Sequence, residues 1–221
     1  MNRRDFITLL GTAATAWPLT ASAQQAGKIP RVGFMGNSTA ALEVNLVGPF
    51  RDGLHELGYQ EGRNIAIEYR WAEGKYERFL ALVAELLAVP VDLIVTAGTP
   101  ATLAVKKATS TVPLIMIAVG DPVGTGIVPS LARPGGNITG LSSIAPDLEG
   151  KRLELLREVI PKLSHVAFFL NPLNPFHTVS VRQAFAAAQA LGIKLQALEV
   201  RTSATFAAIV REKPDALSQK S

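Results

Sequence analysis

Six residues in this sequence sit where a parallel α/β protein does its chemistry: Asn37 and Ser38, Gly98 and Thr99, Asp121, and Asn171. Each lies within a few residues of the end of a short apolar run, at residues 32–35, 91–95, 114–119 and 166–170. Polar residues placed after buried parallel strands collect at the carboxyl edge of the sheet, which is where such folds bind ligands. The stretch 91–102, VDLIVTAGTPAT, carries the clearest signal. Its mostly apolar start suits a strand buried on both faces. Thr99-Pro100 then reads as an N-cap followed by proline at the first helical position, with a helix running on to Ala108. The free amides of such a helix open toward a small anion such as a carboxylate. Taken singly, each of the six residues also fits plain loop capping. Their coincidence at one sheet edge favours a ligand site.

Other chemistry finds no support. The sequence has no G-x-S-x-G, no H-E-x-x-H and no G-x-x-x-x-G-K-[ST], and Gly33 with Gly36 does not complete a dinucleotide fingerprint. No cofactor is expected. With no cysteine there is no disulfide, no thiolate metal site and no cysteine nucleophile. His55, His165 and His177 are too far apart for metal-ligand spacing, so no metal is expected. The net charge of +4 is spread along the chain without a basic run, which argues against nucleic acid as a partner. The chain reads as a binding protein and not an enzyme.

The elements that must position these residues alternate strand and helix. Residues 32–35 form a strand, followed by a helix with Val47, Phe50, Leu54 and Leu57 on one stripe, ending at Gly58. Ile65, Ile67 and Tyr69 alternate with polar neighbours, so this second strand lies near a sheet edge. The next helix puts Phe79, Leu80, Val83, Leu86 and Leu87 on one face. The strand at 91–95 with its helix and a strand at 114–119 complete a parallel sheet wound by right-handed crossovers. Residues 120–146 are rich in glycine and proline and read as a loop or linker. Beyond them the alternation restarts. Leu148, Leu153, Leu156 and Val159 mark a helix, 166–170 a buried strand, Phe185, Ala188 and Leu191 a helix, 193–200 a strand, and Thr202-Ser203 the cap of another helix. Pro90-Val91-Asp92 and Pro214-Asp215 look like equivalent entries to a strand in two loosely repeated units, so the chain is expected to stop as a core strand begins.

Residues 1–23 have a charged start with Arg3-Arg4, a mildly apolar middle and a small-residue end, Ala21-Ser22-Ala23. That order is a secretory signal with an A-x-A cleavage site. The paired arginines before Asp5-Phe6 match the twin-arginine pattern, and the apolar run is too short to span a bilayer. Export to the periplasm is expected. The remaining boundaries expected are an N-terminal lobe over 28–138, a hinge crossing at 139–146 and a second lobe over 147–221.

An ordered series of motifs carries a family resemblance. Lys28-Ile29-Pro30-Arg31-Val32-Gly33, Glu61-Gly62-Arg63-Asn64-Ile65, Thr99-Pro100-Ala101, Gly120-Asp121-Pro122-Val123, Arg133-Pro134-Gly135-Gly136-Asn137-Ile138-Thr139-Gly140 and Gly150-Lys151-Arg152-Leu153-Glu154 resemble the ABC-transporter substrate-binding protein family. The branch is the one whose characterised relatives bind tryptophan or tyrosine. The resemblance implies an α/β type I periplasmic binding protein, two Rossmann-like lobes with parallel sheets closing on a small-molecule ligand, here with the second lobe C-terminally truncated. It implies a monomer that delivers its ligand to an ABC permease in the inner membrane. It also implies that Asn37, Ser38, Thr99 and Asp121 from one lobe and Asn171 from the other face the cleft, Thr99 and the following amides taking the carboxylate and Asp121 the ammonium. A periplasmic sensor subunit and an exported α/β enzyme with its catalytic part missing are the alternative readings. A helix terminus contributes up to ~2 kcal/mol to an anion, against the ~8 kcal/mol of micromolar binding, so without a full second wall the expected affinity is no better than about millimolar.

Overall fold

The computed structural model describes residues 28–143 and 148–211. The export segment and the Pro214-Asp215 entry lie outside them. The first lobe runs β1 (Arg31–Gly36), α1 (Val44–Glu56), β2 (Ala66–Trp71), a short 3-10 turn (Tyr76–Arg78), α2 (Phe79–Ala88), β3 (Leu93–Ala97), α3 (Thr99–Ala108), β4 (Leu114–Gly120) and β5 (Ile138–Ser143). The second runs α4 (Glu149–Val159), β6 (His165–Leu170), α5 (Pro175–Leu191), β7 (Lys194–Glu199) and α6 (Ser203–Arg211). All strand pairs are parallel, in a five-stranded sheet of order β2-β1-β3-β4-β5 and a two-stranded sheet of β6 and β7.

The period-two alternation of the strands splits the first core into two layers. Met35, Ile94, Leu114 and Met116 face α2 and α3, where Leu82, Val83, Leu86 and Val105 close over them. Val32, Phe34 and Val95 face the other way and meet Val47, Phe50 and Leu54 of α1. Phe34 is fully buried among Phe50, Tyr69 and Trp71, with ring centroids 5.5–5.8 Å apart. The alternating second strand is indeed at the sheet edge.

Several expectations need correction. Leu57 falls just past the end of α1 and is exposed, and Leu80 points away from the α2 core face. The third strand begins two residues later than expected. Asp92 is held outside it, accepting from the Arg31 backbone at 2.8 Å and from Lys28 Nζ at 2.6 Å. The stretch read as loop or linker contains β5, which pairs with β4 at the edge of the first sheet. Residues expected to begin the hinge crossing therefore pair with the first sheet, and 144–147 lie outside the described residues.

The second lobe is less buried than its apolar runs suggested. On α4 only Leu153 of the expected stripe is buried, while Leu148, Leu156 and Val159 are exposed. The strand β6 alternates between exposed and half-buried positions instead of being buried on both faces. Val166 and Phe168 pack with Leu153, Ala184, Ala188 and Leu195, whereas Phe169 on the opposite face meets Phe206 of α6 at 5.2 Å. Phe185 is exposed. One buried polar contact ties α4 to α5: Ser180 Oγ donates to Glu149 Oε1 at 2.5 Å, and Arg152 donates to the same oxygen at 3.0 Å. Thr202 does cap α6, its Oγ1 accepting from the Thr205 amide at 3.1 Å.

Candidate functional site

The strand order reverses direction between β1 and β3, one crossover leading out to β2 and the other toward β4. That switch point leaves a crevice at the carboxyl ends of β1 and β3, the general place for ligands in open α/β sheets. Asn37, directly after β1, bridges it by donating Nδ2 to Ala97 O at 2.5 Å. Gly98, directly after β3, has φ 81° and ψ 166°, a conformation that side chains other than glycine resist, and it sets the start of α3.

Thr99 is therefore not the N-cap. Gly98 is the N-cap, Thr99 is the first helical residue and Pro100 follows within the first turn, because the glycine turns the chain one residue earlier. The Thr99 residue is buried, at 2% exposure. The amides of Thr99 and Ala101 find no acceptor among the described residues, and the Gly98 amide is satisfied by Ile117 O at 2.9 Å. Two aligned donors at the positive end of a ten-residue helix form an anion-accepting geometry. Lys106 and Lys107 in its last turn match the other end of the dipole.

The first turn of α3 is fixed to the sheet by a buried relay. Thr102 Oγ1 donates to Gly98 O at 2.8 Å and lies 2.8 Å from Thr96 Oγ1, which leaves the Thr96 hydroxyl to donate to Thr102. Replacing Thr102 by valine keeps the shape and orphans the Thr96 proton. The expected loss is about 1–3 kcal/mol of stability, read from denaturant unfolding, and an unchanged midpoint would contradict the relay.

Ser38 and Asp121 occupy the same edge but are used differently. The Ser38 amide donates to the Glu43 carboxylate, folding residues 38–43 back on themselves. Asp121, with φ 40°, closes its own turn: Oδ1 accepts from the Gly124 amide at 2.8 Å and its carbonyl accepts from Thr125 Oγ1 at 2.7 Å. Asn171 likewise serves its own loop, Oδ1 accepting from the Leu173 amide at 3.0 Å. Asn37, Gly98 and Thr99 are thus brought together, while Asp121 and Asn171 each turn a carboxyl-edge loop.

Residues the sequence reading passed over bring the second lobe to this edge. Asn174 caps α5, accepting from the Phe176 amide at 3.2 Å, and lies close to Tyr76 of the first lobe, whose phenol is pushed up by burial against a smaller opposing influence of Asn174. The Phe176 ring lies against Gly120 at the end of β4, so closely that a Cβ there would fall 1.9 Å from Cδ2. Tyr76, Phe79, Leu80 and Leu103 from one lobe and Leu173 and Pro175 from the other enclose a groove of about 240 Å³. A larger cavity of about 340 Å³ lies beside α1 and the start of β2, around the Arg51–Glu61 ion pair, and contains none of the carboxyl-edge residues. The switch-point crevice is the better site because its donors are unspent.

His177, next to Phe176, is half-buried, with Nδ1 2.7 Å from the Asn171 amide nitrogen and 3.2 Å from the Asn171 carbonyl oxygen. Burial holds its pKa below the ordinary 6.5, against the opposing influence of the Asn171 backbone and Glu149. Its contribution to stability is full above pH 6.5 and lost as the pH falls through the lowered folded value. Melting scans from pH 8 to pH 5 are expected to fall less steeply for His177→Gln than for the parent chain, and parallel curves would contradict this.

The sequence and the fold resemble those of known proteins. The profile of the family described as ABC transporter substrate binding protein matches residues 39–217. The chain belongs to that family. A tyrosine-binding protein of Clostridioides difficile (strain R20291) is 35% identical over 123 residues, covering 55% of this chain and 35% of that protein. A conserved domain protein from Vibrio cholerae superposes with a TM-score of 0.77 at 29% identity, over 84% of this chain and 62% of the other. The Streptococcus pneumoniae ABC domain in complex with L-Trp gives 0.74 at 27%, over 83% and 61%. The chain thus spans about three-fifths of these two structures. A leucine-binding protein from Thermotoga maritima, at 11% identity and a TM-score of 0.60, shares the fold alone. The fold is that of type I periplasmic binding proteins.

Proposed function

We propose that this chain captures a small organic ligand in the periplasm for an ABC importer. The ligand carboxylate is held by the Thr99 and Ala101 amides, and the α5 end of the second lobe closes over it. The observation that carries this reading is the pair of unspent amides at the β1–β3 switch point, with Phe176 of the second lobe reaching the same sheet edge at Gly120. Asn37, Ser38 and Gly98 shape the pocket floor, and Asp121 and Asn171 set the loops on either side. The chain passes to the second lobe after β5, and that passage serves as the hinge crossing. The twin-arginine pattern at Arg3-Arg4 supplies the export route, the permease is the partner, and the protein works as a monomer without a cofactor. It has no catalysis of its own.

A ligand that binds only the folded state raises the melting temperature, by about 2.7 kcal/mol of stabilisation at a hundred times its Kd. The full 221-residue chain, melted with a panel of amino acids that includes tryptophan and tyrosine and with their deaminated acids, is expected to gain stability with at least one. A cooperative melt that no compound moves at 10–100 mM, ~10–100 times a millimolar Kd, contradicts the reading.

A further inference from the structure

The fold-back of residues 38–43 leaves two acceptors without donors. Glu43 is only 6% exposed. Its Oε1 accepts from the Ser38 amide, whereas Oε2 is buried with no hydrogen-bond partner. No basic side chain among the described residues pairs with it. Asn37 Oδ1 is in the same position, its amide nitrogen being committed to Ala97 O. Both residues belong to the segment that leaves the carboxyl end of β1; Asn37 lies against Gly98 at the start of α3, and Glu43 lies against Gly36 and Trp71.

The surroundings of the Glu43 oxygen narrow what it can take. Oε2 and the six-membered ring of Trp71 converge beside Gly36, each 2.3–2.5 Å from the point a Cβ on that glycine would occupy. A buried carboxylate oxygen without a donor is costly, more so than a neutral acceptor. Its complement is a positively charged nitrogen, which forms charge-assisted bonds to a carboxylate and is also attracted to an indole face.

We propose that Glu43 binds the ammonium group of the ligand, with Asn37 Oδ1 as the second acceptor, so that the ligand is an amino acid and not a plain organic acid. The inference rests on the reading that the α3 end takes the carboxylate. It moves the cation-binding role away from Asp121, whose Oδ1 is spent on the Gly124 amide and whose Oδ2 lies against Gly124.

Two ligand pairs test it: L-tryptophan with indole-3-propionate, and L-leucine with 4-methylpentanoate, each pair differing in the ammonium group. Ligand-detected NMR titration of the full chain reads constants out to millimolar. At least one amino acid is expected to bind about tenfold or more tighter than its deaminated partner, a preference that Glu43→Gln abolishes and Asp121→Asn keeps. Glutamine retains the oxygen that accepts the Ser38 amide, so the unliganded variant is expected to melt no lower than the parent. A parent chain that binds both members of a pair equally, or a Glu43→Gln protein that keeps the preference, overturns the proposal and leaves the cleft reading standing. A lowered melt with equal losses for both members marks Glu43 as structural and also overturns it. Binding of neither pair overturns the cleft reading and the proposal together.

Discussion

Gly120→Ala is expected to weaken ligand capture about ten- to a hundredfold while leaving the first lobe folded. A Cβ at this position lies 1.9 Å from Phe176 Cδ2, 2.1 Å from Cε2 and 2.9 Å from Cγ. Because the ring is blocked along one side from its base, it has to leave its seat, and the first turn of α5 moves with it. Overpacking of this kind costs about 1–3 kcal/mol. Here the cost falls on the contact between lobes, since Gly120 ends a first-lobe strand and Phe176 begins a second-lobe helix. The double variant Gly120→Ala, Phe176→Ala is expected to recover much of the loss. A double-mutant cycle on binding, with the melt of each variant as control, measures the coupling. Additive losses would mean that the ring and the glycine do not meet in the bound state.

Gly98→Ala is expected to cost about 2–6 kcal/mol of stability, the sum of two separate strains. The φ of 81° with ψ of 166° is a region that L side chains occupy at about 1–3 kcal/mol. A Cβ there also falls 2.7 Å from Asn37 Nδ2, and a packed contact of that kind adds about 1–3 kcal/mol. Both strains act on the crevice itself. Asn37 is pushed off Ala97 O, and the α3 amides lose their orientation. Denaturant unfolding is expected to show the loss, and binding should fall further than stability alone accounts for. A variant that melts and binds like the parent would mean that the turn before α3 is not fixed by this glycine.

Much of the first lobe was legible because its strands are buried on both faces and must therefore be short apolar runs. Residues 32–35, 91–95 and 114–119 all mark strands of the sheet, and the alternation around Ile67 and Tyr69 marked the edge strand β2. What failed was local detail set by tertiary contacts. Thr99-Pro100 has the composition of a cap, but Gly98 adopts a backbone conformation that moves the helix start. Asp92 is next to an apolar run, yet its bonds to Lys28 and Arg31 keep it outside β3. The strand β5, Ile138–Ser143, is a mostly exposed edge strand carrying a glycine and two serines, so no hydrophobic period announced it.

The candidate site was half legible for the same reason. Asn37, Gly98 and Thr99 follow strands that the sheet order places at the switch point, and position in sequence was enough to find them. Asp121 and Asn171 follow strands too, but their side chains answer backbone amides two or three residues ahead, a local demand that outweighs the cleft. Glu43 gave no signal. Its burial arises only when the loop folds back so that its carboxylate meets the Ser38 amide and the Trp71 ring. Phe176 and Asn174 read as ordinary helix-start residues, and their meaning lies in Gly120 and Tyr76, far away in sequence and in the other lobe.

Amide chemical shifts followed through a titration of the isotope-labelled chain with L-tryptophan, and with L-leucine in parallel, test the central claim most directly. If the β1–β3 switch point is the site, the largest changes fall on the amides of Thr99 and Ala101, with Asn37 and Gly98 next to them. Changes confined to the groove around Arg51, His55 and Glu61 would place the ligand at the other end of the sheet and contradict the account.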